Sequence, residues 1–198
     1  RGPAPVRTAT GRPDRRGARC YRRVMRLVLG IDLGTQSTKV VACAPIPGLP
    51  VRGRGRSAHA PRFPQPGWAE HDPAAWELGL APAIAEALAA AGAGPADVAA
   101  VAIAAQVDGM IPCDAAGHAV GPCLIWLDRR ATDCLPDLDP TRFALHTGQV
   151  ADAQHLAAKA RWWDRHGDVR AATFHQPCSY LVERLTGARV LDPALAST

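Results

Sequence analysis

Arg26-Leu27-Val28-Leu29-Gly30-Ile31-Asp32-Leu33-Gly34-Thr35-Gln36-Ser37-Thr38-Lys39-Val40-Val41-Ala42 is the stretch on which the architecture of this chain turns. An apolar run of strand character ends on a lone carboxylate, Asp32. A Gly-Thr-x-Ser-Thr turn follows, and Lys39 opens a second apolar run. Such a strand–turn–strand unit suits the terminal phosphates of a nucleotide. Small residues let backbone N–H groups approach phosphate oxygens, hydroxyls donate to them, and a carboxylate holds Mg2+, often through water. The same letters also describe an ordinary hairpin with a polar turn, because short Gly-rich signals are weak by themselves. Both readings stay open on this stretch alone.

Working outward, residues 27–32 and 38–44 are expected as two strands apolar enough to lie centrally in a sheet. Val51 to His59, rich in Gly and Arg, is expected as an edge strand, and Pro61 to Asp72 as a long loop. Asp72-Pro73 is a helix start, with Asp as N-cap and Pro at the first helical position, and Gly92 is the matching stop after about Ala91. Val98 to Ala105 is a small-residue apolar strand expected to be covered on both faces. Gln106-Val107-Asp108-Gly109 then puts polar groups at a strand end. Met110–Cys113 and Ala119–Trp126 are expected as further strands, with a helix from Leu127 or Asp128. Asp152 or Ala153 to His166 has helical apolar spacing, Ala171–Phe174 reads as a short strand, Ser179–Thr186 as a helix stopped by Gly187, and Arg189–Leu191 as a last strand. Strands and helices in this alternation point to an α/β fold.

A chain of 198 residues, 47% hydrophobic, fits one domain or part of a larger one with a real core. The net charge of +5 suggests nucleic acid, but the basic residues are unevenly placed. Residues 1–26 hold nine Arg and one Asp, which leaves the rest of the chain at −3. No basic stripe for nucleic acid exists outside that start. Residues 1–25 read as a disordered basic tail without the apolar core of a secretory signal, and Met25 marks the expected translation start. The six Cys (20, 43, 113, 123, 134 and 178) form no C-x-x-C pair and have no His at metal spacing, so reduced thiols and a cytoplasmic setting are expected. No run reaches membrane-spanning length.

Several segments then converge. Gly30-Ile31-Asp32-Leu33-Gly34-Thr35 with Ser37 and Lys39 resembles the first phosphate motif of the actin-like ATPase and sugar-kinase superfamily. Gly67-Trp68-Ala69-Glu70-His71-Asp72-Pro73 resembles the G-W-x-E-x-D-P segment of the FGGY carbohydrate kinases, and Trp126-Leu127-Asp128-Arg129-Arg130 resembles their W-x-D-x-R segment. Gln106-Val107-Asp108-Gly109 stands where xylulokinases carry Q-M-H-G and glycerol kinases Q-R-E. Thr147-Gly148 with Lys159, and Leu185-Thr186-Gly187 leading to Asp192–Thr198, are similar to later family segments in the same order. The resemblance covers residues 26–198.

It implies a ribonuclease-H-like, actin-type α/β domain, with 26–198 as the N-terminal part of its first domain, that phosphorylates a sugar or polyol hydroxyl with Mg·ATP. Thr35, Gln36, Ser37 and Lys39 would lie near the phosphates, Asp32 near Mg2+, and Gln106, Val107 and Asp108 at the sugar. A carboxylate suits that last role because it accepts from two vicinal hydroxyls. By register, the glycerol kinase substrate Tyr falls on Gln154, so a pentulose such as xylulose is the expected acceptor rather than glycerol. Trp126, Trp162 and Trp163 are expected in the core or on helix faces, and Lys159 as a helix-face charge or structural ion pair. Asp128 and Arg129 are read either as a cap and ion pair or as ligands. His71, His118, His155 and His175 are scattered and are not expected as bases. The family's catalytic Asp and its second domain would lie beyond Thr198, so the 198 residues alone are expected to be inactive and poorly soluble, and no catalytic residue is assigned within them. The resemblance also allows a homodimer of the full-length protein. A non-catalytic actin-like module that binds nucleotide or a partner is the alternative, and a phosphatase or hydrolase of the same superfold a more distant one.

Overall fold

In a computed structural model, the structure describes residues 26–191, 193 and 195–197. The expectations for the 1–25 tail and for Asp192, Ala194 and Thr198 lie outside the described residues.

The leading stretch folds as two antiparallel strands, β1 (Leu27–Leu33) and β2 (Ser37–Cys43), with Asp32 opposite Lys39. β3 (Val51–Ala58) pairs antiparallel with β2, and β5 (Val98–Ala105) pairs parallel with β1, giving the sheet order β3-β2-β1-β5. The hairpin is therefore central and β3 an edge, as the Gly and Arg content of β3 predicts. Period-two alternation sends Leu27, Leu29, Ile31 and Leu33 to one face, and that face is buried.

Helix α1 (Pro73–Ala90) covers it. The Asp72 carboxylate accepts the Ala74 N–H, Pro73 opens the first turn, and Gly92 at φ 63 follows its end. Leu80, Ala83, Ala87 and Leu88 pack against the buried residues of β1 and β2. The approach to β3 is closer than a side chain permits. A Cβ on Gly53 or Gly55 would lie 2.0 Å from the carbonyl oxygen of Ala87 or Ala83. The two glycines are the means by which an Ala-rich helix reaches the backbone of an edge strand.

The opposite face of the sheet carries Val28, Gly30, Asp32, Lys39, Val41 and Arg54, and the described residues leave it open. Here one expectation is corrected: β5 is not covered on both faces. Ala99, Ala100, Val101, Ala102 and Ala104 are exposed, and β5 has a neighbour only on its β1 side among the described residues. Its apolar sequence is that of a central strand, while its setting here is an edge.

Beyond the sheet, short elements build the second core around Trp76, Ile111, Ile125, Tyr180 and Leu181. β4 (Glu70–His71) pairs with β7 (Cys123–Leu124), and β6 (Ile111–Cys113) with β8 (Thr173–His175). The expected loop at 61–72 thus contains a strand, and the expected Ala119–Trp126 strand shrinks to two residues because the chain around it folds into turns. A 3-10 helix (Arg130–Asp137) takes the place of the helix expected from Leu127, and the Asp128 carboxylate accepts its first N–H as well as that of Ala69. Helix α2 (Pro140–Thr147) was not expected at all, although Asp139-Pro140 repeats the signature of Asp72-Pro73 and caps Thr141 and Arg142. Helix α3 (Leu156–His166) starts later than expected, and α4 (Pro177–Thr186) ends at Gly187 with φ 74 as expected. Arg189–Leu191 forms no strand; Arg189 instead binds the Glu183 carboxylate and the Ala115 carbonyl.

Candidate functional site

β5 delivers its strand end beside the hairpin turn. The Gln106 N–H donates to the Leu33 carbonyl at 2.9 Å, extending the β1–β5 ladder by one bond. The Thr35 hydroxyl then donates to Gln106 Oε1 at 3.3 Å and accepts from the Trp126 indole N–H at 3.3 Å. One hydroxyl thus joins the turn, the strand-end loop and the segment after β7. A cleft of about 560 Å3 opens here, with Thr35, Gln36, Ser37, Lys39, Phe63 and Trp126 in its wall. Among the described residues no protein acceptor takes the amides of Thr35 and Gln36, so the turn presents donors.

Asp32 sits at the other margin of the turn. Its carboxylate and the Lys39 ammonium are 3.2 Å apart and each is more than half exposed. The exposed carboxylate has the donor chemistry of a Mg2+ site that keeps most of its water. Among the described residues no cluster of three or more His, Cys, Asp or Glu forms a protein-only cage.

The strand-end loop is built tightly. Asp108 adopts φ 58, a left-handed conformation uncommon outside glycine, and it is buried. Gly109 follows where a Cβ would lie 2.6 Å from Pro177 at the start of α4. Two buried atoms of this loop, Gln106 Nε2 and Asp108 Oδ1, have no hydrogen-bond partner in the protein. One is a donor and one an acceptor, and leaving each unmatched costs about 1–3 kcal/mol. Val107 between them is half exposed. The structure therefore brings Thr35, Gln36, Ser37 and Lys39 onto one wall, links Gln106 to it, and places Asp108 deeper in the same loop. Asp32 is joined to that wall through Lys39 but does not itself line the cleft, lying on the open sheet face.

Three features were not read from the sequence. Trp126 is not a core residue: it is 42% exposed and lines the cleft. Its indole N–H bonds the Thr35 hydroxyl, and the segment that follows it enters a buried ion network. The Asp128 carboxylate accepts the Ala69 N–H at 2.6 Å and binds Arg130, whose Nη2 reaches Asp128 at 2.8 Å and Glu70 at 2.8 Å. The Arg130 guanidinium lies 3.6 Å above the centre of the Trp68 ring, and Trp162 flanks it. This network joins the Trp68–Glu70 and Trp126–Arg130 motifs, so Asp128 is a cap and an ion-pair partner, while Arg129 pairs with Asp152 at the surface (3.0 Å). Trp162 and Trp163 are packed, as expected.

Lys159 is the third. It is neither an exposed helix-face charge nor half of a hydrogen-bonded ion pair. Fully buried on α3, its ammonium donates to the carbonyls of Asp108 and Ile125, the latter at 2.8 Å. Burial pushes its pKa down to about 8.

Beneath the turn, His71 packs edge-on against His59 at 5.0 Å and beside Trp76. Burial, then the neighbouring His59, push His71 down to about 4, while a hydrogen bond to the Thr35 backbone pulls the other way. His118, His155 and His175 lie away from the cleft, paired with Asp114, stacked on Phe143 and bound to Glu183 respectively. Gln154 is a turn residue whose N–H binds Asp152.

Comparison with known proteins supplies an independent view. Residues 27–198 match the model of the N-terminal domain of the FGGY family of carbohydrate kinases. The chain is 33% identical to a xylulose kinase of Streptomyces coelicolor, over 84% of its own length and 35% of the relative's. It is 31% identical to glycerol kinase 1 of Pseudomonas aeruginosa, over 82% and 35%. Among solved structures it resembles xylulose kinase from Rhodospirillum rubrum, with a TM-score of 0.76 at 28% identity, covering 87% of this chain and 36% of that one. The chain spans about a third of the length of the curated relatives it matches.

Proposed function

The chain belongs to the FGGY family of carbohydrate kinases, with the actin-like α/β fold of its structural neighbours, and on that premise we propose that the protein carrying it phosphorylates a hydroxyl of a sugar or polyol with ATP. The acceptor class we propose is a pentulose, xylulose foremost, and the setting is the cytoplasm. The observation that carries this is the strand-end loop. A buried amide donor on Gln106 and a buried carboxylate oxygen on Asp108 stand without protein partners, with only Val107 between them in sequence, beside a turn that presents backbone amides. A polyhydroxylated ligand satisfies both atoms, since each hydroxyl donates and accepts.

In this proposal Gln106, Val107 and Asp108 hold and orient the sugar. Thr35, Gln36, Ser37 and Lys39 face the phosphates, and Asp32 would hold Mg2+, which supplies charge neutralisation on the phosphoryl oxygens. The Thr35 hydroxyl, bonded to both Gln106 and Trp126, fixes the distance between donor and acceptor sites, and positioning accounts for most of catalysis in phosphoryl transfer. The base that takes the hydroxyl proton is assigned to none of the 198 residues. Glycerol fits less well, because Val107-Asp108 stands where glycerol kinases carry Arg-Glu.

A thermal-shift screen of the protein expressed from the full gene tests this. With Mg·ATP and xylulose, ribulose or glycerol, we expect stabilisation by a pentulose and a new sugar-phosphate resonance by phosphorus NMR. No shift and no phosphorylated product across the panel would overturn the proposal.

A further inference from the structure

Lys159 poses a chemical question. A fully buried ammonium loses its hydration, and an aliphatic side chain would fill the same space at lower cost. Its two acceptors are carbonyls of different segments, both of which frame the candidate site. The Asp108 carbonyl belongs to the strand-end loop, and the Ile125 carbonyl immediately precedes Trp126. The groups around the ammonium are Asp108 in the loop, Asp128 and Arg130 beyond Trp126, and Cys123 in β7. The carboxylates retain the cation without taking its hydrogen bonds. Asp108 also needs holding, because its left-handed backbone is strained for a residue with a side chain.

Resting on the reading that the 106–109 loop binds the sugar, we infer that Lys159 is a positioning residue, whose ammonium ties the Asp108 loop to the Trp126 segment and sets the sugar-binding carboxylate against the cleft wall. It touches neither substrate nor phosphate and acts only through Asp108 and Ile125. Its loss releases the loop while leaving the hairpin turn intact, so sugar binding suffers and ATP binding does not.

The experiment uses the protein expressed from the full gene, with xylulose and Mg·ATP as probes. Lys159→Met keeps the length and removes the donors; Lys159→Arg keeps donors and charge. We expect the xylulose KM to rise at least 10-fold in Lys159→Met with the ATP KM within 3-fold, and Lys159→Arg to recover most of the loss. A packing role alone gives the opposite order, since an uncharged Met is buried at lower cost than the larger, charged Arg, and that order would overturn the inference. If Lys159→Met does not fold, Lys159→Gln decides on the same two KM values: a selective rise for xylulose supports the tether, and equal changes refute it. Hydrogen exchange separates this inference from the functional proposal. Faster exchange at residues 107–110 and 125–127 in the variant, with β1 and β2 unchanged, sustains the tether even if no sugar is turned over; unchanged exchange there rejects it.

Discussion

Asp108 is the residue on which the proposed sugar site rests most heavily, and its conformation dictates the substitution that tests it. Asn tolerates φ near +58 and preserves size, so Asp108→Asn removes the charge and one acceptor without adding backbone strain. We expect a fall in kcat/KM for the sugar of about 100-fold, corresponding to about 2.7 kcal/mol, with the melting temperature little changed. Asp108→Ala adds strain to the loss of contact and should also lower stability. The type of residue here was legible from the sequence, as polar groups following directly on an apolar strand. Its left-handed backbone and its anchor were not, because Lys159 lies 51 residues away and no local pattern announces that contact. Trp126 was misjudged for a related reason. Aromatic residues are usually core, and the bond from its indole N–H to the Thr35 hydroxyl, 91 residues away, is announced by no local pattern.

Among the elements, α1 and β3 make the closest approach, and two glycines permit it. Gly55→Ala drives a methyl group into the carbonyl of Ala83, a backbone atom that cannot swing aside. We expect destabilisation of more than about 2 kcal/mol by chemical denaturation, where an exposed Gly→Ala in a strand is near neutral. The Arg130 network makes a second prediction: Arg130→Met leaves Asp128 and Glu70 facing each other's charge in a buried site, at a cost of about 3–5 kcal/mol. Elements with local punctuation were readable. Asp72-Pro73 with Gly92 bounded α1, and Gly187 bounded α4. The start of α2, Asp139-Pro140, carries the same signal in a helix of only eight residues, too short for a periodic pattern to support it. Short strands such as β4 and β7 were blurred because two-residue pairing leaves no periodicity to read. Arg189–Leu191 was misread for the opposite reason: strand-like letters need a partner strand, and none lies beside them among the described residues.

At the scale of the molecule, buried histidines couple stability to pH. His71 titrates near 4 in the folded chain against about 6.5 unfolded, and His59 and His175 are shifted the same way. Between those values the unfolded chain binds more protons, so stability present above about pH 6.5 is lost as pH falls toward 4. The melting temperature should drop from pH 7 to pH 5, and His71→Asn should flatten that slope; an unchanged slope would contradict the assignment. The open sheet face has its own consequence. With Ala100, Ala102 and Ala104 exposed along an unpaired edge, the 198-residue chain expressed alone should bind a hydrophobic dye such as ANS and self-associate with concentration. The α/β class and the central hairpin were legible because β1 and β2 are apolar runs of strand length on either side of a polar turn; the exposure of β5 was not, because its letters describe a strand covered on both faces.

In the proposed function the Asp32–Lys39 hairpin and the Gln106–Asp108 loop are the phosphate and sugar sides of one kinase site. Steady-state ADP formation by the protein expressed from the full gene, with saturating Mg·ATP and increasing xylulose, measures it directly. We expect ADP release that saturates with xylulose and falls about 100-fold in kcat/KM with Asp108→Asn, while the ATP KM stays within about 3-fold. ADP release that ignores every pentulose and polyol tested, or an Asp108→Asn protein that turns over as the wild type does, would contradict it.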